Sequence, residues 1–257
     1  MSSNDSIKKT LIVAFSLCIV CSVIVSTAAV MLKPAQEANK TLDRKRNILA
    51  AAGMLQEGMS VEEQFSQVTA RVVDLRTGRF ADDVDPDNYD QRKAAKDPTG
   101  SERLSAAQDQ AKIARREHYA IVYLVEDSNG DVDKVILPVH GAGLWSTLYG
   151  FIALESDGNT VAGLGFYEHG ETPGLGGEVD NPRWKAFWPG KQVYRDGEVN
   201  IALIKGSVDP GNASAPWQID GLAGATLTAN GVTNLVQFWL GENGFQSFLD
   251  NLKSGEA

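Results

Sequence analysis

Cysteine is missing from most of this sequence. Cys18 and Cys21 both lie in one apolar run near the N-terminus, and the 225 residues after Leu32 contain none. Disulfides and thiolate-ligated iron–sulfur clusters are therefore excluded from the bulk of the chain. Histidine is scarce too, with three in 257 residues. His118, His140 and His169 stand in separate segments without the spaced partners of a metal site, so no metal is expected. His140 reads as a satisfied structural histidine and His118 as exposed. An excess of basic charge is also lacking: 24 Lys and Arg against 33 Asp and Glu give a net charge of −9, which argues against a nucleic-acid surface. The sequence has no glycine-rich loop ending in Gly-Lys-Ser/Thr, no dinucleotide fingerprint and no internal repeat.

What is present begins with Thr10–Leu32, 23 residues without a charge. As a helix the run would extend about 35 Å, against a hydrocarbon core of about 30 Å. The competing reading is a cleaved signal peptide, for which Ser26-Thr-Ala-Ala29 offers small residues. Signal peptides usually have a shorter apolar region, about 7–15 residues, so a retained anchor is expected. Lys8, Lys9 and Asp5 precede the run; Lys33, Lys40, Arg44, Lys45 and Arg46 follow it, with Glu37 and Asp43. That count leans toward a cytoplasmic C-terminal domain. Cys18 and Cys21, at i,i+3 on one helix face, read as small residues at a helix–helix contact. The expected organisation is a tail (1–9), a transmembrane anchor (10–32), a stalk or packing helix (33–60) and one domain (61–257).

After Pro34 the pattern predicts a helix over 36–56 and a short one over 61–68, then a strand over 71–75. Residues 81–100 read as a surface excursion, and a helix is expected over 101–116. Residues 119–125 and 132–139, the latter interrupted late by Pro138, flank the turn Asp127-Ser-Asn-Gly-Asp131. Residues 148–155 and 161–167 flank Ser156–Thr160, so two successive antiparallel hairpins are expected. A Gly/Pro loop spans 170–177. A short helix is expected at 183–187, a strand at 202–205, and helices over 227–240 and 245–252. The fold class is α+β: a single N-terminal transmembrane helix, then an antiparallel sheet with packed helices.

The stretch Asp220-Gly-Leu-Ala-Gly-Ala-Thr-Leu-Thr-Ala-Asn-Gly-Val232 packs small residues and two hydroxyls in front of an apolar helical face. Gly221 and Gly224 permit close backbone approach, and Ala223 and Ala225 keep the volume small. With Thr226 in a first helical turn, free N–H groups around it would favour an oxygen anion. Small residues plus a hydroxyl are also an ordinary helix start.

Asp220–Thr226 closely resembles the attachment motif of the covalent FMN-binding domain family. Across Asn88–Lys96, Val135–Ser146, Glu171–Glu178 and Gly221–Val232 the chain resembles the C-subunit family of bacterial sodium-translocating NADH:quinone reductases. The resemblance implies FMN joined through a phosphoester to Thr226, attached by a flavin transferase. It also implies other reductase subunits as partners, a bacterial inner membrane, and a domain in the periplasm, against the charge count. The resembling family usually carries Ser or Thr where Ala223 stands. Thr226 would be an attachment residue, with no catalytic residue in this chain. Asp220, Gly221, Ala223, Gly224, Ala225, Leu227 and Thr228 are expected around it, Thr228 being a nearby decoy for attachment. Gly174, Leu175 and Gly176 would approach the ring, Glu171 and Thr172 would supply polar contacts, and Lys205 a cation near the phosphate. Trp145 could stack on the ring or fill the core; Leu144 reads as structural, and Tyr149 and Tyr167 as weaker candidates. The alternatives are the related G-subunit family of ferredoxin:NAD oxidoreductases and a non-redox extracytoplasmic binding or scaffold domain.

Overall fold

The computed structural model describes residues 6–257, so residues 1–5 of the expected tail lie outside the described residues. The chain divides into two compact units between Asp43 and Arg44. Helix α1 (Ile7–Ala51) contains the uncharged run and is long and apolar enough to cross a membrane. The separate helix expected over 36–56 is instead the continuation of α1, with Pro34 inside it. A proline removes one backbone donor and adds a local clash, about 3 kcal/mol. Good helix formers on both sides (Leu32, Lys33, Ala35, Gln36, Glu37) carry the helix across. The end comes at Ala51 rather than residue 56 because Gly53 turns left-handed at φ 68. There Gly53 N–H donates to Ala50 O (3.1 Å) and Met54 N–H to Leu49 O (2.8 Å), a Schellman closure.

The second unit is built on strands β1 (Val68–Asp74), β2 (Arg79–Phe80), β3 (Ser101–Arg103), β4 (Arg115–Glu117), β5 (Tyr119–Glu126), β6 (Val132–Ala142), β7 (Thr147–Glu155) and β8 (Val161–Glu168). Six of them form one antiparallel sheet in the order β2-β1-β5-β6-β7-β8. The two expected hairpins are β5–β6 and β7–β8. Their turns close on aspartates: Asp127 Oδ1 accepts from Asn129 N–H (2.8 Å), and Asp157 Oδ1 from Thr160 N–H (2.7 Å). Small strand pairs complete the unit, β9 (Tyr194–Arg195) with β10 (Glu198–Val199) and β11 (Ala202–Leu203) parallel to β12 (Gln218–Ile219). The helices are α2 (Val61–Phe65), α3 (Gln91–Ala94), α4 (Pro182–Lys185), α5 (Thr226–Leu240) and α6 (Gln246–Ser254).

The strands read as continuous apolar runs because both faces of the sheet are covered. In β5, Ala120, Val122 and Leu124 face one core with Val232, Leu235, Trp239 and Phe248 of α5 and α6. Ile121, Tyr123 and Val125 face the other, with Ile48 and Leu49 from the last turns of α1. Alternate residues thus enter different cores, as strand geometry requires.

Three expectations are corrected. The helix expected over 101–116 is absent: β3 pairs with β4, Ser101 opposite Glu117. Between them Asp109 accepts from the N–H groups of Ile113 (2.7 Å) and Ala114 (2.9 Å). Lys112 and Ala114 turn left-handed at φ 54 and 64, and the helix formers there are overridden. The helix expected to reach residue 68 stops at Phe65; Ser60 caps its single turn, and Val68 pairs with Val125. Residues 81–100 are not a simple surface excursion, since Ala81 is buried and Tyr89 donates to Tyr119 O (2.9 Å).

Candidate functional site

Three loops meet at one buried carboxylate. Glu171, only 5% exposed, sits in the loop after β8. Its Oε1 accepts from the N–H groups of Leu144 (3.1 Å) and Trp145 (3.0 Å) in the β6–β7 loop. Its Oε2 accepts from Thr228 Oγ1 at 2.5 Å, in the first turn of α5. Burial pushes the Glu171 pKa up, but the hydrogen bonds from Thr228, Trp145 and Leu144 outweigh it and hold the carboxyl below its usual range. Two glycines make room. A Cβ on Gly143 would lie 2.5 Å from Glu171 Oε1, and one on Gly176 would lie 2.5 Å from Thr228 Oγ1.

The helix α5 begins at Thr226 with no side chain capping it. The N–H groups of its first turn cannot be bonded within the helix. Thr226 is exposed, and among the described residues no hydrogen bond is formed by its hydroxyl. Gly224, at φ 70, makes the turn that places it; a Cβ there would lie 3.1 Å from Leu175 Cδ2. The α5 backbone is set close to the β6–β7 loop at Gly231, which leaves no room for a side chain against Ala142 O. Trp239 Nε1 donates to His140 O (2.6 Å) further along.

Around this helix start stands a group of exposed apolar side chains: Leu144, Trp145 (70% exposed), Leu175 and Leu227 (61%). Single exposed apolar residues are ordinary, but three on two loops and one in the first turn of α5 form a surface suited to a flat apolar partner. Trp145 therefore does not fill the core. Leu144, expected to be structural, is exposed because Glu171 grips the backbone on both sides of its peptide.

Ala223 is exposed and Ala225 buried at the turn. Thr172 and Gly174 are exposed, and the Thr172 carbonyl accepts from Leu175 and Gly177 N–H to close the loop. Gly221 packs against Ile204 O, and Asp220 Oδ1 accepts from Val208 N–H (2.9 Å) while its carbonyl accepts from Trp184 Nε1 (3.0 Å). Both residues thus shape the loop behind the turn. Lys205 is exposed after β11, and among the described residues it has no hydrogen bond or ion pair with the Thr226 turn. His140 stacks on Tyr149 and Trp239, and His169 pairs with Asp180 at 2.7 Å. Among the described residues no group of His, Cys, Asp and Glu suits a metal ion.

Sequence reasoning missed what Thr228 does. Taken as a bystander to Thr226, it is fully buried and ties α5 to Glu171. The available signal was the pair of glycines, at 143 and 176, in loops that each carry part of this network.

The FMN-binding domain family matches residues 143–241, from the Glu171-bound loop to the end of α5. The chain is 58% identical to the C-subunit of the Na(+)-translocating NADH-quinone reductase of Pseudomonas aeruginosa, over 100% of both chains. It is 52% identical to that of Vibrio vulnificus, over 99% of both. Among solved structures it resembles Shewanella oneidensis NqrC with a TM-score of 0.78 and 38% identity, over 84% of this chain and 99% of that one. The corresponding protein from Parabacteroides distasonis superposes with a TM-score of 0.65 at 29% identity, over 85% and 96% of the two chains.

Proposed function

Because the chain belongs to the C-subunit family of Na(+)-translocating NADH-quinone reductases, we propose that it is the membrane-anchored, FMN-carrying electron-transfer component of such a reductase, with FMN esterified through its phosphate to Thr226 Oγ1. It is one part of an oxidoreductase, and other subunits of that complex are its partners. The observation that carries the attachment is the exposed, unbonded Thr226 hydroxyl at an uncapped helix start, beside the apolar surface of Leu144, Trp145, Leu175 and Leu227.

The residues fit the group. The first-turn N–H groups of α5 would hold the phosphate oxygens, where the helix dipole also favours negative charge. Lys205, between the Ile204 and Gly206 backbone that packs against Gly221, would add a side-chain cation on this side of the turn. Leu144, Trp145, Leu175 and Leu227 would hold the planar ring of the group against the domain. Glu171 acts one step back: it fixes the Leu144–Trp145 backbone and Thr228 at once, so the ring contacts and the attachment turn share a single anchor. When bound, FMN supplies the acceptance and release of electrons; the chain supplies retention and position.

Attachment by a flavin transferase is part of the same reading, and so is a periplasmic domain on a bacterial inner membrane. The basic residues after the uncharged run lean the other way, but Glu37 and Asp43 partly offset them. Ala223 is exposed and leaves the turn open, so Ala223→Ser is expected to be labelled at least as fully. The test is flavin fluorescence of the denatured chain in a gel, with and without co-expressed transferase. The chain is expected to fluoresce only with the transferase, and Thr226→Val not at all; a covalently fluorescent Thr226→Val protein overturns the assignment.

A further inference from the structure

A cavity of about 430 Å³ lies on the sheet and shares no lining residue with the Glu171 network or the Thr226 turn. Its origin is in the sequence. β5 and β6 pair from Glu126 opposite Val132 only as far as Tyr123 opposite Ile136. Continued, that register would set Pro138 against Ile121, and a proline has no N–H to offer the ladder. The strands part there, while β6 stays paired with β7, Pro138 opposite Phe151. Side chains take over the abandoned β5 edge. Gln91 Oε1 accepts from Ile121 N–H (3.1 Å), and Tyr89 donates to Tyr119 O (2.9 Å).

Three features give this cavity a chemical preference. Arg44, Arg92, Lys96, Lys112 and Arg115 line it, against Asp90 and Glu117, in a chain of net charge −9. Arg92 pairs with Glu168 (2.9 Å), and Arg115 lies near the Asp97 carboxylate while donating to neutral oxygens of Ser101 and Pro98, so the basic side chains of the lining still outnumber the acids set against them. The rings of Tyr89, Tyr149 and Tyr167 line the cavity, Tyr149 already carrying the Arg92 guanidinium (3.7 Å) and the His140 ring. Glu117 is fully buried in the lining; Gln91 Nε2 donates to its Oε1 (2.6 Å), and its Oε2 has no partner among the described residues. A buried oxygen of this kind costs stability until something bonds it.

The geometry points to a binding site for a small planar organic anion bearing a ring hydroxyl, its anionic group among the basic side chains of the lining and its hydroxyl on Glu117 Oε2. A hydroxyl both donates and accepts, so it satisfies that oxygen whether or not the carboxyl holds a proton. The volume falls in the range of small-molecule sites, about 300–1,000 Å³.

The test is calorimetric titration of the full chain in detergent with four probes: 4-hydroxybenzoate, benzoate, phenol and inorganic phosphate. Saturable binding of 4-hydroxybenzoate is expected. Benzoate and phenol should each bind about fivefold more weakly, the worth of one hydrogen bond or one ion contact, and phosphate more weakly still. Lys96 and Lys112 are exposed, so Lys96→Gln and Lys112→Gln should fold normally and each weaken binding about threefold. Thr226→Val should bind as the unaltered chain does. The site is refuted by no saturation up to about 10 mM, where a millimolar site would be mostly filled. Equal affinity for benzoate and 4-hydroxybenzoate, full affinity in the double lysine variant, or loss in Thr226→Val would equally overturn it.

Discussion

Glu171 and Glu117 are both buried in the same domain, and their surroundings drive them in opposite directions. Glu171 is met by two backbone N–H groups and a hydroxyl, so it stays ionised and its pKa falls. Glu117 accepts from the Gln91 side chain and, among the described residues, has no partner for Oε2, so burial wins and pushes its pKa to about 7. Burial alone therefore does not set the protonation of a carboxylate; the count and placement of donors decides it. Glu171 acts as a fastener that holds three loops in one arrangement. Glu117 is a polar group left wanting a partner, on the wall of a cavity that can admit one.

The largest effect is expected at Glu171. Glu171→Ala leaves two N–H groups and the Thr228 hydroxyl without their acceptor, and is expected to cost about 3 kcal/mol or more in denaturant melts. It should also lose flavin attachment; an unaltered melt would show that the three loops do not depend on it. At Glu117 the sign reverses. The stability that goes with a neutral Glu117 is fully present below the unfolded value of 4.5 and is lost as pH rises through about 7. Glu117→Gln should therefore gain about 2–3 kcal/mol at pH 8 and nothing near pH 4, and melts at the two pH values separate this from a general effect. For Glu171, whose folded pKa lies below 4.5, stability is held above that value and lost as pH falls through the folded pKa, so the deficit of Glu171→Gln should shrink in acid. Gly176→Ala drives a methyl toward Thr228 Oγ1 and Glu171 Oε2, with an expected loss of about 1–3 kcal/mol. The smallest effect on folding is at Trp145, where exposure limits Trp145→Ala to about 0.5 kcal/mol. Its native flavin fluorescence should nevertheless rise as a quenching ring is removed; unchanged emission would take Trp145 away from the flavin.

The sequence displayed these regions unequally. The apolar runs at 119–125 and 148–155 announced the sheet because strand residues enter two cores, and aspartate turns marked both hairpins. The start of α5 was visible in the small residues before Thr226. The 101–116 segment was misread because its Ala, Gln and Lys favour helix locally. The determinants that override them are the Asp109 carboxylate and the pairing of Ser101 with Glu117, neither of which local propensity sees. Glu117 itself follows two arginines and looks like a solvated charge. Pro138 was legible as an interruption, but its consequence, a parted pair of strands and a cavity, depends on which strand it faces. The role of Glu171 needed three loops far apart in sequence to be brought together.

In the proposed function, Thr226 Oγ1 is the single attachment atom. Intact-mass measurement of the chain co-expressed with a flavin transferase, followed by peptide mapping, tests it most directly. The expected result is an addition of about 440 Da, the mass of esterified FMN, confined to the peptide containing Thr226 and absent from Thr226→Val. The same addition on Thr228 or elsewhere, or its persistence in Thr226→Val, would contradict the account.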